Sequence, residues 1–161
     1  MPRDRRPDME ERMSEYTTVV VGTDGSESSL KAVQRAASIA GSTAKLVIAC
    51  AYFPSDPRSV ESASDQLRED AYQVHGAAPT YEILRTANER ARGAGATNIE
   101  ERSIVGPPVE SLLKLTNDVS ADLLVVGNRG LNTITGRLLG SVPSDAARKA
   151  HCDVLIVHTV R

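Results

Sequence analysis

The sequence predicts an α/β fold of the doubly wound type, in which a five-stranded parallel sheet carries helices on both faces. Three observations carry this prediction: short runs rich in Val, Ile and Leu, amphipathic segments that alternate with them, and Gly or Pro at the junctions. Uninterrupted apolar runs are typical of parallel strands that are buried on both faces. Right-handed crossovers then bring all the strand carboxyl ends to one edge of the sheet, where a ligand site is expected.

The predicted elements follow one another from residue 17 to residue 158. Ser26 is the expected N-cap of the first helix, and Gly41 is its expected C-cap. The stretch from Phe53 to Pro79 has no clear periodicity and is predicted to be a long surface excursion with a short helix at 65–72. The strands are predicted at 17–22, 45–51, 99–105, 122–127 and 153–158, and the helices at 27–40, 81–94, 108–119 and 143–150.

Length and composition bound the class of protein. A chain of 161 residues has room for one ordinary domain, predicted at 16–161. The segment 1–15 carries nine charges and almost no apolar residues, so it is expected to be a disordered tail. A net charge of −2 and the near-absence of aromatic residues argue against a nucleic-acid partner. No apolar stretch is long enough to span a membrane, and no signal peptide is evident.

Both cysteines, Cys50 and Cys152, lie in apolar runs and form no C-x-x-C pattern. We therefore expect free, buried thiols in a reducing compartment, which indicates a cytoplasmic protein. The three histidines, His75, His151 and His158, are dispersed, and the last two are expected at the surface or in an interface.

A glycine-rich stretch links the fourth predicted strand to the last helix, with the spacing G-x2-G-x9-G-S from Gly127 to Ser141. Gly127 and Gly130 lack a Cβ atom, so the backbone there can turn sharply and approach a ligand closely. Gly140 and Ser141 begin a helix, where free N–H groups and the positive end of the helix dipole favour phosphate oxygens. Arg129 adds positive charge. This pattern predicts a phosphate-binding loop; the alternative is a flexible connection that binds nothing.

Two further strand ends are expected at the same edge of the sheet. Asp24 follows the first strand, where a carboxylate suits a ribose hydroxyl, an adenine amine or a water-mediated contact with a cation. The alternative is that Asp24 and Ser26 only cap the helix. Val105 and Gly106 follow the third strand, where their backbone groups either line a purine pocket or form a simple turn.

Common catalytic signatures are absent from the sequence. It contains no G-x4-G-K-[ST] motif, no G-x-G-x-x-G after the first strand and no G-x-S-x-G. No Cys/His group has the spacing of a zinc site. A binding site without an evident general base or nucleophile predicts little turnover.

From Tyr16 to Val160, about nine-tenths of the chain, the sequence resembles a universal stress protein domain. The resemblance rests on the opening Val-Val-Val-Gly-Thr-Asp-Gly-Ser, on the Val105-Gly106 turn and on the G-x2-G-x9-G-S spacing. That spacing marks the ATP-binding subgroup of the family. The chain is most similar to single-domain actinobacterial members, some of which bind cyclic AMP as well as ATP. The resemblance implies a Rossmann-like fold of the adenine nucleotide alpha hydrolase-like type.

The resemblance also implies which residues would bind the nucleotide. Asp24 would contact the nucleoside, and Val105 would contact the adenine. With ATP, Asp24 would also reach a phosphate-bound Mg²⁺. The phosphates and ribose would be held by Gly127, Gly130, Gly140, Ser141 and Val142, and the predicted set is completed by Thr23, Gly25, Ala51, Gly106 and Arg129. A glutamate introduced at Gly127 or Gly140 is expected to abolish binding and to leave the fold intact.

The predicted function is a regulatory or ligand-sequestering role in the stress response through binding of ATP or cyclic AMP. Two alternatives stay open: a slow, Mg²⁺-dependent ATP hydrolase, and a structural interaction module. Two residues depart from the family's usual pattern: Pro143, where a small polar residue is common, and Asp153, where Pro is common. The family further implies a homodimer formed through the last strand, at Val154, Leu155, Ile156 and Val157.

Overall fold

The computed structural model describes residues 16–53, 77–128 and 141–159, and these contain the predicted strands and helices. The strands are β1 (Thr18–Gly22), β2 (Lys45–Tyr52), β3 (Asn98–Val105), β4 (Leu123–Gly127) and β5 (Asp153–Val157). The helices are α1 (Glu27–Ala40), α2 (Ala77–Gly93), α3 (Pro108–Asp118) and α4 (Ser141–Lys149). In these ranges, none of the helices is long and apolar enough to cross a membrane.

All neighbouring strands are parallel, and their order in the sheet is β3-β2-β1-β4-β5. The central strand is β1, in which Val20 pairs with Val47 of β2 and with Leu124 of β4. The chain therefore adds β2 and β3 on one side of β1 and then crosses back to place β4 and β5 on the other. This reversal confirms the doubly wound fold.

Each face of the sheet has its own apolar core, because successive strand residues point to opposite faces. Val19 and Val21 of β1 pack in one cluster with Leu30 of α1 and Leu84 of α2. The alternate residues of the strands, with Val20 among them, pack in a second cluster with α3 and α4. Helices α1 and α2 thus cover one face, and α3 and α4 cover the other.

The caps predicted for α1 are confirmed. The Ser26 hydroxyl accepts a hydrogen bond from the Ser29 N–H at 3.1 Å, which satisfies one of the free donors of the first turn. At the other end, the N–H of Gly41 donates to the Ala37 carbonyl at 2.9 Å. These two contacts fix where the helix begins and ends.

The start of α2 was predicted wrongly. The helix begins at Ala77 instead of Tyr81, so Pro79 lies in its first turn, where a missing N–H costs no helical hydrogen bond. Tyr81, expected on the apolar side, is 65% exposed, whereas Thr80 is buried and its hydroxyl lies 2.8 Å from Ser103 Oγ. The segment 1–15 and the predicted short helix at 65–72 lie outside the described residues.

The two cysteines are free, and they differ in burial. Cys50 is fully buried, as predicted, but Cys152 is only half-buried. Burial, with a smaller contribution from the negative charge of Asp24, raises the pKa of the Cys50 thiol to about 12. Burial also raises the pKa of Cys152. Both thiols are therefore protonated at neutral pH.

At the amino edge of the sheet, the Asp122 carboxylate ties β4 to β1. It accepts hydrogen bonds from the N–H groups of Thr17 and Thr18 at 2.8 and 3.0 Å, and from the Thr17 hydroxyl at 3.2 Å. Nearby, the Tyr16 hydroxyl donates to Asp153 at 2.9 Å, which gives the unusual residue at position 153 a partner. Burial raises the pKa of Asp122, but the hydrogen bonds from Thr17 and Thr18 outweigh it and lower the pKa overall.

Asp122→Asn is expected to lower the free energy of unfolding by about 1 kcal/mol at pH 7, because a charged acceptor is lost at a partly exposed site. Since the folded-state pKa is lowered, this stabilisation is present above the unfolded value of roughly 3.9 and is lost as the pH falls. The difference in the free energy of unfolding between variant and wild type should therefore shrink below about pH 4. Urea unfolding at pH 3 to 8 measures it.

Asp118→Asn is the matched control, since among the described residues Asp118 forms an ion pair with Lys114 of the same helix, at an exposed site. It should change stability by less than about 0.5 kcal/mol at every pH. Equal effects of the two substitutions would contradict the role of Asp122.

Candidate functional site

The strand order reverses between β1 and β4, and the carboxyl ends of all five strands meet at that edge of the sheet. The loop after β1 leads to α1 on one face, while the segment after β4 leads to α4 on the other face. The space above the ends of β1 and β4 is the usual ligand position in doubly wound sheets, and we call it the crevice.

The loop after β1 is held rigidly by its own hydrogen bonds. Thr23 is fully buried; its N–H donates to the Ala49 carbonyl at 2.9 Å and its hydroxyl lies 2.8 Å from Ser29 Oγ. Asp24 is half-buried and accepts from the Ser26 N–H at 2.9 Å. Thr23 therefore supports the loop from beneath, and Asp24 caps the turn with a carboxylate that has further acceptor sites.

The first half of α2 packs against this loop, a feature that the sequence patterns did not indicate. Gly25 has φ +85°, and a Cβ placed there would lie 3.0 Å from Ile83 Cγ1 of α2. One turn earlier, Thr80 contacts Ser103 of β3. The start of α2 thus connects the β1 loop with the end of β3.

The end of β3 presents apolar surface at the same edge. Val105 pairs with Tyr52 in register, and the N–H of the following Gly106 donates to the Tyr52 carbonyl at 2.9 Å. Val105 is 55% exposed, so its side chain offers apolar surface at the end of this strand. Ala51, half-buried on β2, lies beside this pair.

The end of β4 contains a group of polar contacts that sequence reasoning missed. Asn128 follows Gly127 and accepts hydrogen bonds through Oδ1 from the N–H and the hydroxyl of Thr159, at 2.9 and 2.8 Å. The Thr159 hydroxyl also contacts Ser28 Oγ of α1. The sequence signal was weak, because Asn128 occupies one of the unspecified positions (x) of the G-x2-G-x9-G-S pattern and Thr159 lies beyond the last strand.

Helix α4 begins at Ser141, as predicted from the Gly140-Ser141 pair. Val142, predicted to contact the ligand, is 2% exposed and packs in the core with Ala146 and Val126. The prediction for Val142 is therefore limited to its main chain, because the side chain is buried. Its side chain anchors the start of the helix instead.

The remaining predicted contacts, Arg129, Gly130 and Gly140, lie outside the described residues. Gly127 lies within the described residues, and its neighbours change the prediction that a glutamate there leaves the fold intact. A Cβ there would lie 3.4 Å from Thr159 Cγ2 and 3.8 Å from the Ser28 carbonyl. A glutamate at Gly127 would therefore press on buried neighbours, so this substitution is expected to disturb the fold as well as binding.

Two further features help to place the site. No group of three or more His, Cys, Asp or Glu side chains able to hold a metal occurs among residues 16–53, 77–128 and 141–159. A hollow of about 560 Å³ lies at the amino edge of the sheet, lined by residues that include Tyr16, Arg35 and Asp153. That hollow is at the opposite end of the strands from the crevice, so it is not part of the site.

The strand order and the helices on both faces define a doubly wound α/β domain. Comparison with known proteins identifies which domain it is. The family model of the universal stress protein family matches residues 15–158. Universal stress protein Rv1636 of Mycobacterium tuberculosis is 60% identical over 147 residues, which cover 91% of this chain and 99% of the relative. The chain therefore belongs to the universal stress protein family.

Solved structures agree with this assignment. A universal stress protein crystallised in complex with cyclic AMP is 61% identical, covers 91% of this chain and 100% of its own, and superposes with a TM-score of 0.72. Universal stress protein UspA from Lactobacillus plantarum is 23% identical, with 88% and 97% coverage and a TM-score of 0.69. The second likeness shows that the fold is shared.

Gly25→Ala is expected to destabilise the protein more than Gly41→Ala. Both glycines have positive φ, which costs an alanine roughly 1–2 kcal/mol. Only at Gly25 does the added methyl group also meet a neighbour, Ile83, whereas at Gly41 nothing lies within 4 Å. We expect an extra loss of about 1 kcal/mol at Gly25. Chemical denaturation of both variants measures this, and equal losses would contradict the tight packing of the loop on α2.

Proposed function

We propose that this protein binds an adenine nucleotide, cyclic AMP or ATP, at the crevice between β1 and β4, and that it acts by regulation or ligand sequestration in the stress response. The observation that carries the proposal is the 61% identity, over 91% of the chain, to a universal stress protein solved in complex with cyclic AMP. A chain with that overall identity is expected to take the same class of ligand.

The geometry supports a division of the crevice into a base side and a phosphate side. Exposed Val105 offers an apolar surface for a purine, and the backbone of Gly106 follows it directly. Asp24 offers carboxylate oxygens for a ribose hydroxyl. The start of α4 offers free N–H groups and the positive end of the helix dipole, which suit a phosphate.

ATP would bring Mg²⁺ with it, and Asp24 fits a supporting role toward that ion. Mg²⁺ keeps several waters and is usually held by one or two carboxylates together with substrate phosphates. Asp24 already accepts one hydrogen bond from Ser26, and a carboxylate has about four acceptor sites, so it can also receive a metal-bound water. The metal would neutralise phosphate charge.

Asp24→Asn is expected to weaken binding of cyclic AMP and of ATP by about tenfold, because a charged acceptor to the ribose is replaced by a neutral one. The asparagine keeps an Oδ1 acceptor for the Ser26 N–H, so the loop should retain its shape. Isothermal titration calorimetry with cyclic AMP, ATP and GTP measures affinity and base preference.

The control is again Asp118→Asn, which removes one carboxylate far from the crevice and should leave both affinities unchanged. A wild-type protein that gives no heat with millimolar cyclic AMP or ATP would overturn the proposed function. An Asp24→Asn variant that binds like wild type would remove Asp24 from the site but leave the function standing.

The proposal includes a homodimer formed through β5 and a cytoplasmic location. Strand β5 lies at the edge of the sheet, with no further strand beside it among the described residues, and its four apolar residues are all half-exposed. Such an edge favours pairing with a second copy. Two free thiols fit a reducing compartment.

Ile156→Lys is expected to convert the dimer to a monomer, since it places a charge on the apolar edge strand. Ile104→Lys, at a half-buried position on the opposite edge strand β3, is the matched control and should leave the dimer intact. Sedimentation velocity at micromolar concentration separates the two species. A monomeric wild-type protein, or equal dissociation of both variants, would contradict the β5 interface.

A further inference from the structure

A hydrogen-bonded group joins β4, β5 and α1 immediately behind the crevice, and none of its members belongs to the predicted nucleotide contacts. We call Asn128, Thr159 and Ser28 the Asn128 cluster. The Asn128 Oδ1 accepts from both the N–H and the hydroxyl of Thr159, so the Ser28 hydroxyl is the donor in its contact with Thr159 Oγ1. Thr159 is 6% exposed, so these contacts are shielded from water.

At the end of the β4–β5 ladder, the Asn128 side chain accepts a hydrogen bond that the Asn128 main-chain carbonyl would accept in a regular ladder. The Asn128 N–H donates to the Val157 carbonyl at 2.8 Å, as a regular parallel ladder requires. In an uninterrupted ladder the Thr159 N–H would then donate to the main-chain carbonyl of residue 128. Here it donates to the side-chain Oδ1 instead, at 2.9 Å. The side chain thus ends the ladder and lets the main chain leave the sheet.

The orientation of the carboxamide follows from these bonds. Since Oδ1 is the acceptor for Thr159, Nδ2 points toward His158, where it lies 3.2 Å from Nδ1. An amide nitrogen is a donor, so it donates to the unprotonated Nδ1 of that ring. Both ends of the Asn128 side chain are therefore engaged by consecutive residues after β5.

The same cluster supports Gly127 by direct contact. A Cβ at Gly127 would lie 3.4 Å from the Thr159 methyl group, so the glycine backbone lies directly against Thr159. Lys31 of α1 adds a hydrogen bond from its ammonium group to the Thr159 carbonyl at 3.3 Å. The backbone at residues 127–128 is consequently fixed from β5 and from α1 at the point where the strand order reverses.

We infer that Asn128 is a positioning residue for nucleotide binding: with Thr159 and Ser28 it fixes the Gly127–Asn128 backbone at the mouth of the crevice. Backbone groups bind an anion well only where their direction is fixed beforehand, because ordering them on binding costs conformational entropy. The inference rests on the proposed function of this site. It adds that affinity depends on hydrogen bonds between side chains that are not themselves predicted to contact the ligand.

The test compares four variants for binding of cyclic AMP and ATP by calorimetry, at a temperature at which each is folded by circular dichroism. Asn128→Ala and Thr159→Val remove the hydrogen bonds from opposite ends and should each weaken both affinities by about tenfold or more. Thr159→Ser keeps the hydroxyl and should restore binding to within about threefold of wild type. Asn88→Ala removes a carboxamide that bridges Glu101 and Arg92 elsewhere, and should leave binding unchanged.

Two outcomes separate this inference from the proposed function. If the wild-type protein binds neither nucleotide, both the proposed function and the positioning role of Asn128 are overturned. If the wild type binds but folded Asn128→Ala binds equally well, or if Thr159→Ser loses as much affinity as Thr159→Val, only the positioning role is overturned.

Discussion

The return of the chain from β3 to β4 across the sheet is the constraint on which the rest of this structure depends. Parallel strands need both faces covered, and right-handed crossovers fix which face each helix takes. Since β2 and β3 lie on one side of β1 and β4 and β5 on the other, α1 and α2 must cover one face, and α3 and α4 the other. The connections after β1 and β4 therefore lead to helices on opposite faces, and the crevice is the space above the ends of these two strands.

The loops that border this crevice are rigid because their polar groups are paired internally. The buried Thr23 hydroxyl supports the β1 loop through Ser29, and Asn128 supports the end of β4 through Thr159. Unpaired polar groups at these positions would be costly, because both Thr23 and Thr159 are shielded from water. The groups that we propose for ligand contact at this end of the sheet are the Asp24 carboxylate, main-chain N–H groups at the start of α4 and the exposed side chain of Val105.

The amino and carboxyl ends of the strands carry different kinds of contact. The amino edge is closed by contacts that hold strands together, such as Asp122 with Thr17 and Thr18, and Tyr16 with Asp153. The carboxyl edge carries the turns whose geometry requires glycine, as at Gly25 with its positive φ. The contacts that hold the strands together and the site that we propose for the ligand thus lie at opposite ends of the same strands.

The sequence by itself determined the succession of strands and helices along the chain, the bounds of the strands to within about one residue, and the caps of α1. The alternation of strands and helices also predicted a parallel sheet. These features depend on local periodicity and turn chemistry. It placed Thr23, Asp24, Val105 and Gly127 at strand ends that meet at one edge. Only the tertiary structure decided that α2 begins at Ala77, that Val142 points into the core, and that Asn128 reaches Thr159. Those three depend on contacts between segments distant in the chain, and no local pattern of residues encodes the direction of such a side chain.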